Sequence, residues 1–193
     1  MKTGGRASAW QWGLFAIGAL LILGGYNASI WRNERVLDEG AIVRLALAPV
    51  DPRAFLTGDF MALNYALSRT IAEIDRSEFE SASAGSAATE GSRLDHDRIA
   101  ILSLDEDLVA RLVRMQSAPT PRESGEVAVQ VRMRGGGARL GTNAWYFQEG
   151  TGARFEAAKF GEFRVAPDGR MLLVKTLDAK LHPIEAIDSS RSN

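Results

Sequence analysis

The chain has 193 residues, a formal net charge of −1, 46% hydrophobic and 24% charged residues, and no cysteine. That composition supports one ordinary folded domain with an appendage, and it excludes collagen-like repeats, a wholly disordered chain, a disulfide framework, thiolate metal sites and cysteine nucleophiles. Two histidines, His96 and His182, are too few for a multi-histidine cage within one chain, so neither a metal nor a cofactor is expected.

Residues 7–31 carry no charge, and residues 12–23 read WGLFAIGALLIL. As a helix such a stretch spans about 37 Å, more than the roughly 30 Å of a bilayer's hydrocarbon core. Trp10 and Trp12 at one end and Tyr26 and Trp31 at the other sit where aromatic rings prefer the headgroup level. Residues 10–31 are therefore expected to be an uncleaved signal anchor in contact with the lipid bilayer. A cleaved secretory signal peptide is the alternative, since Lys2 and Arg6 precede the apolar run and small residues follow it. Those two cations favour residues 1–9 in the cytoplasm, which places the rest on the periplasmic or extracytoplasmic side of a bacterial inner membrane. Leaving out Lys2 and Arg6, the 23 basic residues fall to 21 against 24 acidic ones, a net charge of −3 beyond the anchor that gives no reason to seek nucleic acid or anionic lipid.

Residues 32–40 are expected to be a stalk or the last turns of the anchor helix. From there to residue 188 the pattern predicts an α+β domain, mostly antiparallel β with one or two short helices. Residues 41–48 alternate, with Val43, Leu45 and Leu47 on one side, and residues 59–68 place Met61, Leu63, Tyr65 and Leu67 on one face. Thr70 and Glu73 have capping-box spacing, which predicts a short helix to about Phe79. Residues 81–96 form a small-residue, polar-rich loop that buries too little to offset ordering entropy. Residues 98–104 read as a strand. Asp105 then caps a helix carrying Leu108, Val109, Leu112 and Val113, with a strand as the other reading of those residues. Residues 118–125 are a loop. Val127, Val129, Val131 and Met133 alternate without a break as the clearest strand. Gly135, Gly136 and Gly137 suit a hairpin into a strand with Trp145, Tyr146 and Phe147 better than a dinucleotide loop, because no helical period follows. Pro167, Asp168 and Gly169 separate the last two strands as a hairpin turn, and residues 189–193 are a frayed tail.

The segment 50–65 contains Gly58, Asp59 and Phe60, then Leu63 and Tyr65. It resembles the signature of the bacterial GDYXXLXY family, a domain of unknown function, with Phe60 in place of the usual tyrosine. Arg139, Gly141, Tyr146, Phe147, Glu149 and Gly150 match the family's carboxy half more diffusely, and Asn143 stands where the family often has a carboxylate. The resemblance implies a membrane-anchored envelope domain, often encoded beside a multi-pass membrane protein, which is the expected partner. Read physically, Asp51, Pro52, Arg53, Gly58, Asp59, Phe60, Leu63 and Tyr65 fix a turn and a strand, while Arg53, Asp59 and Tyr65 are the candidate binding residues.

These features favour a non-catalytic interaction or assembly module acting with an integral membrane protein. One alternative is an enzyme. Residues 58–63 are similar to the glycine-aspartate strand of type I signal peptidases, yet Asp51 stands where their serine would, and no lysine lies between Lys2 and Lys159 to activate a serine. The other is a ligand- or glycan-binding domain using Asp51, Asp59 and Glu149 near Trp145 and Tyr146.

Overall fold

Helix α1 (Ala9–Glu39) is 31 residues long, about 46 Å at 1.5 Å per residue. In the computed structural model, which describes residues 9–48, 60–83, 95–116, 123–146 and 151–184, it is long and apolar enough to cross a membrane. Its large apolar side chains stand clear of the protein; Phe15, for example, is 80% exposed. The region expected as a stalk is helical through Glu39, so of the two readings the continuing helix is the one found.

The junction with the domain is packed. Val36, one turn from the helix end, is buried, Gly40 donates to the Val36 carbonyl at 3.0 Å, and Arg164 Nη1 donates to the Gly40 carbonyl at 3.0 Å. A Cβ on Gly40 would lie 2.3 Å from the Val36 oxygen and 3.1 Å from the Arg164 Cβ, so the close approach requires glycine. Strand β1 (Ala41–Ala46) starts immediately afterwards, with Val43 and Leu45 buried as its alternation predicts.

The remaining elements are β2 (Phe60–Ala62), α2 (Ala66–Ser83), β3 (His96–Leu104), β4 (Ala110–Gln116), β5 (Glu126–Arg134), β6 (Gly137–Leu140), β7 (Ala144–Tyr146), α3 (Gly152–Phe155), β8 (Phe160–Val165) and β9 (Met171–Leu177). They form antiparallel sheets in the orders β4-β3-β5-β6, β1-β8-β9 and β2-β7. The α+β expectation is therefore met. Val43, Leu45, Phe163 and Val165 from the three-stranded sheet share one core with Ala100, Leu102, Val129, Val131 and Leu140 from the four-stranded sheet. Ile71 of α2 and Phe155 of α3 close that core. Arg98 on β3 ties α2 down through Asp75 at 3.2 Å and Glu78 at 2.7 Å.

Several expected elements differ. The strand expected over residues 59–68 is only Phe60–Ala62, and α2 begins at Ala66. Leu67 and Ile71 are four apart, so they satisfy a helical face as well as the period-two reading that included Leu67. Thr70 and Glu73 lie inside the helix, where the Thr70 amide is no longer an orphan to be capped. Residues 81–83 belong to α2 and His96 to β3, while residues 84–94 of the expected loop lie outside the described residues.

The stretch after Asp105 is a strand, not a helix. Asp105 Oδ1 accepts the amides of Asp107 at 3.1 Å and Val109 at 2.9 Å, and Leu108 takes a φ of 59°. These bonds close a hairpin that returns β4 onto β3, leaving Val113 exposed despite its place in the helical stripe. After Gly135 and Gly136 the chain enters β6, and Trp145 and Tyr146 belong to the separate β7. Phe147, residues 118–122 of the loop expected over 118–125, and the expected tail at 189–193 lie outside the described residues, while residues 123–125 form the turn that leads into β5.

Candidate functional site

Asp51, Pro52, Arg53, Gly58 and Asp59 lie outside the described residues, as does Glu149. The motif becomes visible at Phe60, whose strand β2 pairs with β7: Phe60 opposite Tyr146, Met61 opposite Trp145, Ala62 opposite Ala144. The stitching continues where the Leu63 amide donates to the Asn143 carbonyl at 2.8 Å. Leu63 is buried.

Tyr65 points inward. It is 3% exposed, its ring meets Phe163 edge-on at 5.6 Å, and its hydroxyl donates to the Thr142 carbonyl at 2.6 Å. Burial pushes its phenol well above the ordinary value, which keeps the group a protonated donor at physiological pH. Leu63, through its amide, and Tyr65, through its hydroxyl, thus hold the segment Thr142–Asn143 in place. Replacing Tyr65 with phenylalanine leaves that carbonyl without its donor, and we expect a loss of about 1–2 kcal/mol of domain stability. Denaturant midpoints of the two proteins measure it, and an unchanged midpoint would contradict the buried position.

Gly141 begins this segment at a φ of 52°, and a Cβ there would lie 2.8 Å from Phe163 Cε1. Two concavities flank it. One, of about 420 Å³, is lined by Gly141, Ala144, Trp145, Tyr146, Met171 and Leu173. Tyr146 is 75% exposed on its rim, and the indole Nε1 of Trp145 is buried with no hydrogen-bond partner among the described residues. The other, of about 490 Å³, is lined by Arg132, Arg134, Arg139, Gly141, Thr142 and Asn143. In the sequence Arg132 and Arg134 alternate with Val131 and Met133 as the polar face of β5, a pattern that does not mark a cleft. The signal that finds their cleft is the two-residue glycine turn, because it fixes which residue of β6 faces which residue of β5.

Glu162 was missed as well. It is 6% exposed on β8, directly opposite Arg44 of β1 and Lys175 of β9. Arg44 Nε reaches Oε2 at 3.0 Å and Lys175 Nζ reaches Oε1 at 3.1 Å. Burial alone would raise its pKa, but the two donors outweigh burial and hold the carboxyl below the ordinary glutamate range. With both oxygens engaged, it is a cross-strand tie rather than a proton donor.

Among the described residues no group of three or more histidines or carboxylates is arranged to hold a metal ion. His96 is exposed with Nε2 3.1 Å from Asp75, and His182 Nδ1 lies 3.6 Å from Asp178. The sequence model of the GDYXXLXY protein family matches residues 22–175. No curated protein and no solved structure matches the chain.

Proposed function

The chain belongs to the GDYXXLXY family, and from that premise we propose that it is a non-catalytic interaction or assembly module of the bacterial envelope. In this reading α1 crosses the inner membrane, the β domain stands on the periplasmic or extracytoplasmic side, and the partner is an integral, multi-pass membrane protein. The observation that carries it is the junction. An apolar helix destined for lipid runs without a break into a buried valine and a glycine pinned to β8, which holds the domain at a fixed attitude near the bilayer. A tether that served only to retain a domain would need no such packing, whereas docking against a second membrane protein benefits from an orientation paid in advance. Lys2 and Arg6 before the span support an inside amino terminus.

Cross-linking in native membranes followed by affinity purification tests this reading. Recovery of an integral membrane protein at native expression is the expected result; recovery of this chain alone would overturn it.

A further inference from the structure

Arg132 on β5 and Arg139 on β6 are direct cross-strand neighbours, and both are exposed. Residues paired in this way have Cβ atoms about 4.5–5.5 Å apart, and like charges there repel. The register is built in, because Gly135 and Gly136 take φ values of 56° and 76°, the left-handed pair that a two-residue hairpin turn demands. Arg134 lies two residues along on the same face, and all three line the cleft closed by Gly141, Thr142 and Asn143.

The neighbouring acids pair with Arg134 rather than with Arg132 or Arg139. Asp97 on β3 lies opposite Arg132, yet its Oδ1 accepts Arg134 Nη2 at 3.0 Å. Asp95 Oδ2 is 3.6 Å from Arg134 Nε. Arg132 Nη2 donates to the Gly141 carbonyl at 3.1 Å. The Arg139 side chain has no hydrogen bond or ion pair among the described residues. Asp95 and Asp97 thus serve Arg134, leaving Arg132 and Arg139 side by side as cations over a concavity.

We propose that this cleft binds a phosphate group, held between the guanidinium forks of Arg132 and Arg139. One fork suffices for a carboxylate; two adjacent forks match the several oxygens and higher charge of a phosphate. The group comes either from a soluble phosphorylated molecule or from a lipid headgroup. The second source is within reach of the fold: Gly141 at the cleft's edge packs on Phe163 and Met171, and Met171 is joined through Val165 to Ala41, where the domain leaves the membrane helix.

The test uses the full chain in phosphatidylcholine nanodiscs, titrated with inorganic phosphate, alongside Arg139→Gln and the double variant Arg132→Gln/Arg139→Gln. Arg139→Gln removes no hydrogen bond or ion pair among the described residues and is expected to leave the fold intact. Wild type is expected to bind phosphate saturably and to melt at a rising temperature as phosphate is added, with the affinity falling at least ten-fold in Arg139→Gln. Nanodiscs containing phosphatidic acid, an anionic lipid whose headgroup is a phosphate monoester, distinguish the sources. If the anionic lipid raises the melting temperature of wild type and competes with phosphate, the headgroup is the ligand; if it does neither, the ligand is soluble. No saturable response to either probe, or an equal response in Arg139→Gln, overturns the proposal.

Discussion

Phe163→Ala is expected to lower the stability of the β domain by about 3–5 kcal/mol, the usual cost of deleting a buried aromatic ring and leaving its cavity. The ring is fully buried and stands at the meeting point of three features. Tyr65 packs edge-on against it, Gly141 passes so close that no Cβ fits between, and a Cβ on Gly161, two residues earlier in β8, would lie 3.2 Å from it. Against a typical total of about 5–15 kcal/mol, this loss moves many molecules toward the unfolded state. Guanidinium unfolding of the full chain in micelles, followed by circular dichroism, measures it. A change below about 1 kcal/mol would mean that Phe163 is not the centre of the core. Because the same ring supports Gly141, the cleft beside Arg132 should lose phosphate affinity in any Phe163→Ala protein that still folds.

The second large effect concerns Glu162. Glu162→Gln keeps the volume but removes the charge that Arg44 and Lys175 face, and we expect a loss of about 2–3 kcal/mol near neutral pH. The upper end of the buried-pair range does not apply, since Arg44 and Lys175 retain side-chain exposures of 22% and 41% and can turn to water. The pH dependence has a definite sign. The folded carboxyl is held below its ordinary value of 4.5, so its stabilisation is complete above that value and is lost as pH falls through the depressed folded pKa. Melting temperatures of wild type and Glu162→Gln should therefore differ most near neutrality and converge in acid. Glu126, Asp168 and Asp178 are also held low by their own donors and give both proteins a common acid-sensitive background. A gap that stayed constant down to strongly acidic pH would contradict the tie.

Much of the fold is legible wherever a local rule coincides with the tertiary environment. The unbroken alternation from Val127 to Met133 is β5, with Val129 and Val131 fully buried. Pro167, Asp168 and Gly169 form the β8–β9 turn, where Gly169 has a φ of 88° and its carbonyl accepts the Gln130 amide. From Ala9 onward the uncharged run at the amino terminus is helical, in the helix that ends at Glu39. Errors arise where two periods fit the same residues. Leu67 suits both a strand from Tyr65 and a helix toward Ile71, and the choice falls to the Tyr65 ring, which turns into the core as the helix begins. Leu112 and Val113 fit a helical stripe until Asp105 collects the turn amides and commits them to a hairpin.

The site was less legible. Leu63 and Tyr65 share a face in sequence and are buried together, whereas Arg53 and Asp59 lie outside the described residues. Glu162 has no local signature, because its partners are 118 residues upstream on β1 and 13 downstream on β9, and only the sheet order brings them to one row. Its juxtaposition with Lys175 also depends on a bulge that leaves Val174 out of register. The Arg132–Arg139 pair, by contrast, follows from the glycine turn once that turn is assigned two residues.

A chain without cysteine allows the most direct test of the whole account, because a single introduced thiol reports its own side of the membrane. Thr3→Cys and Lys180→Cys place that thiol before the span and on the exposed surface after β9, respectively. In intact spheroplasts a membrane-impermeant maleimide should label Lys180→Cys fully and Thr3→Cys only after detergent, with both proteins remaining in the carbonate-washed membrane pellet. Labelling in the reverse order, or a mature protein without its amino-terminal helix in the soluble fraction, would contradict an anchored domain held outside the cytoplasm.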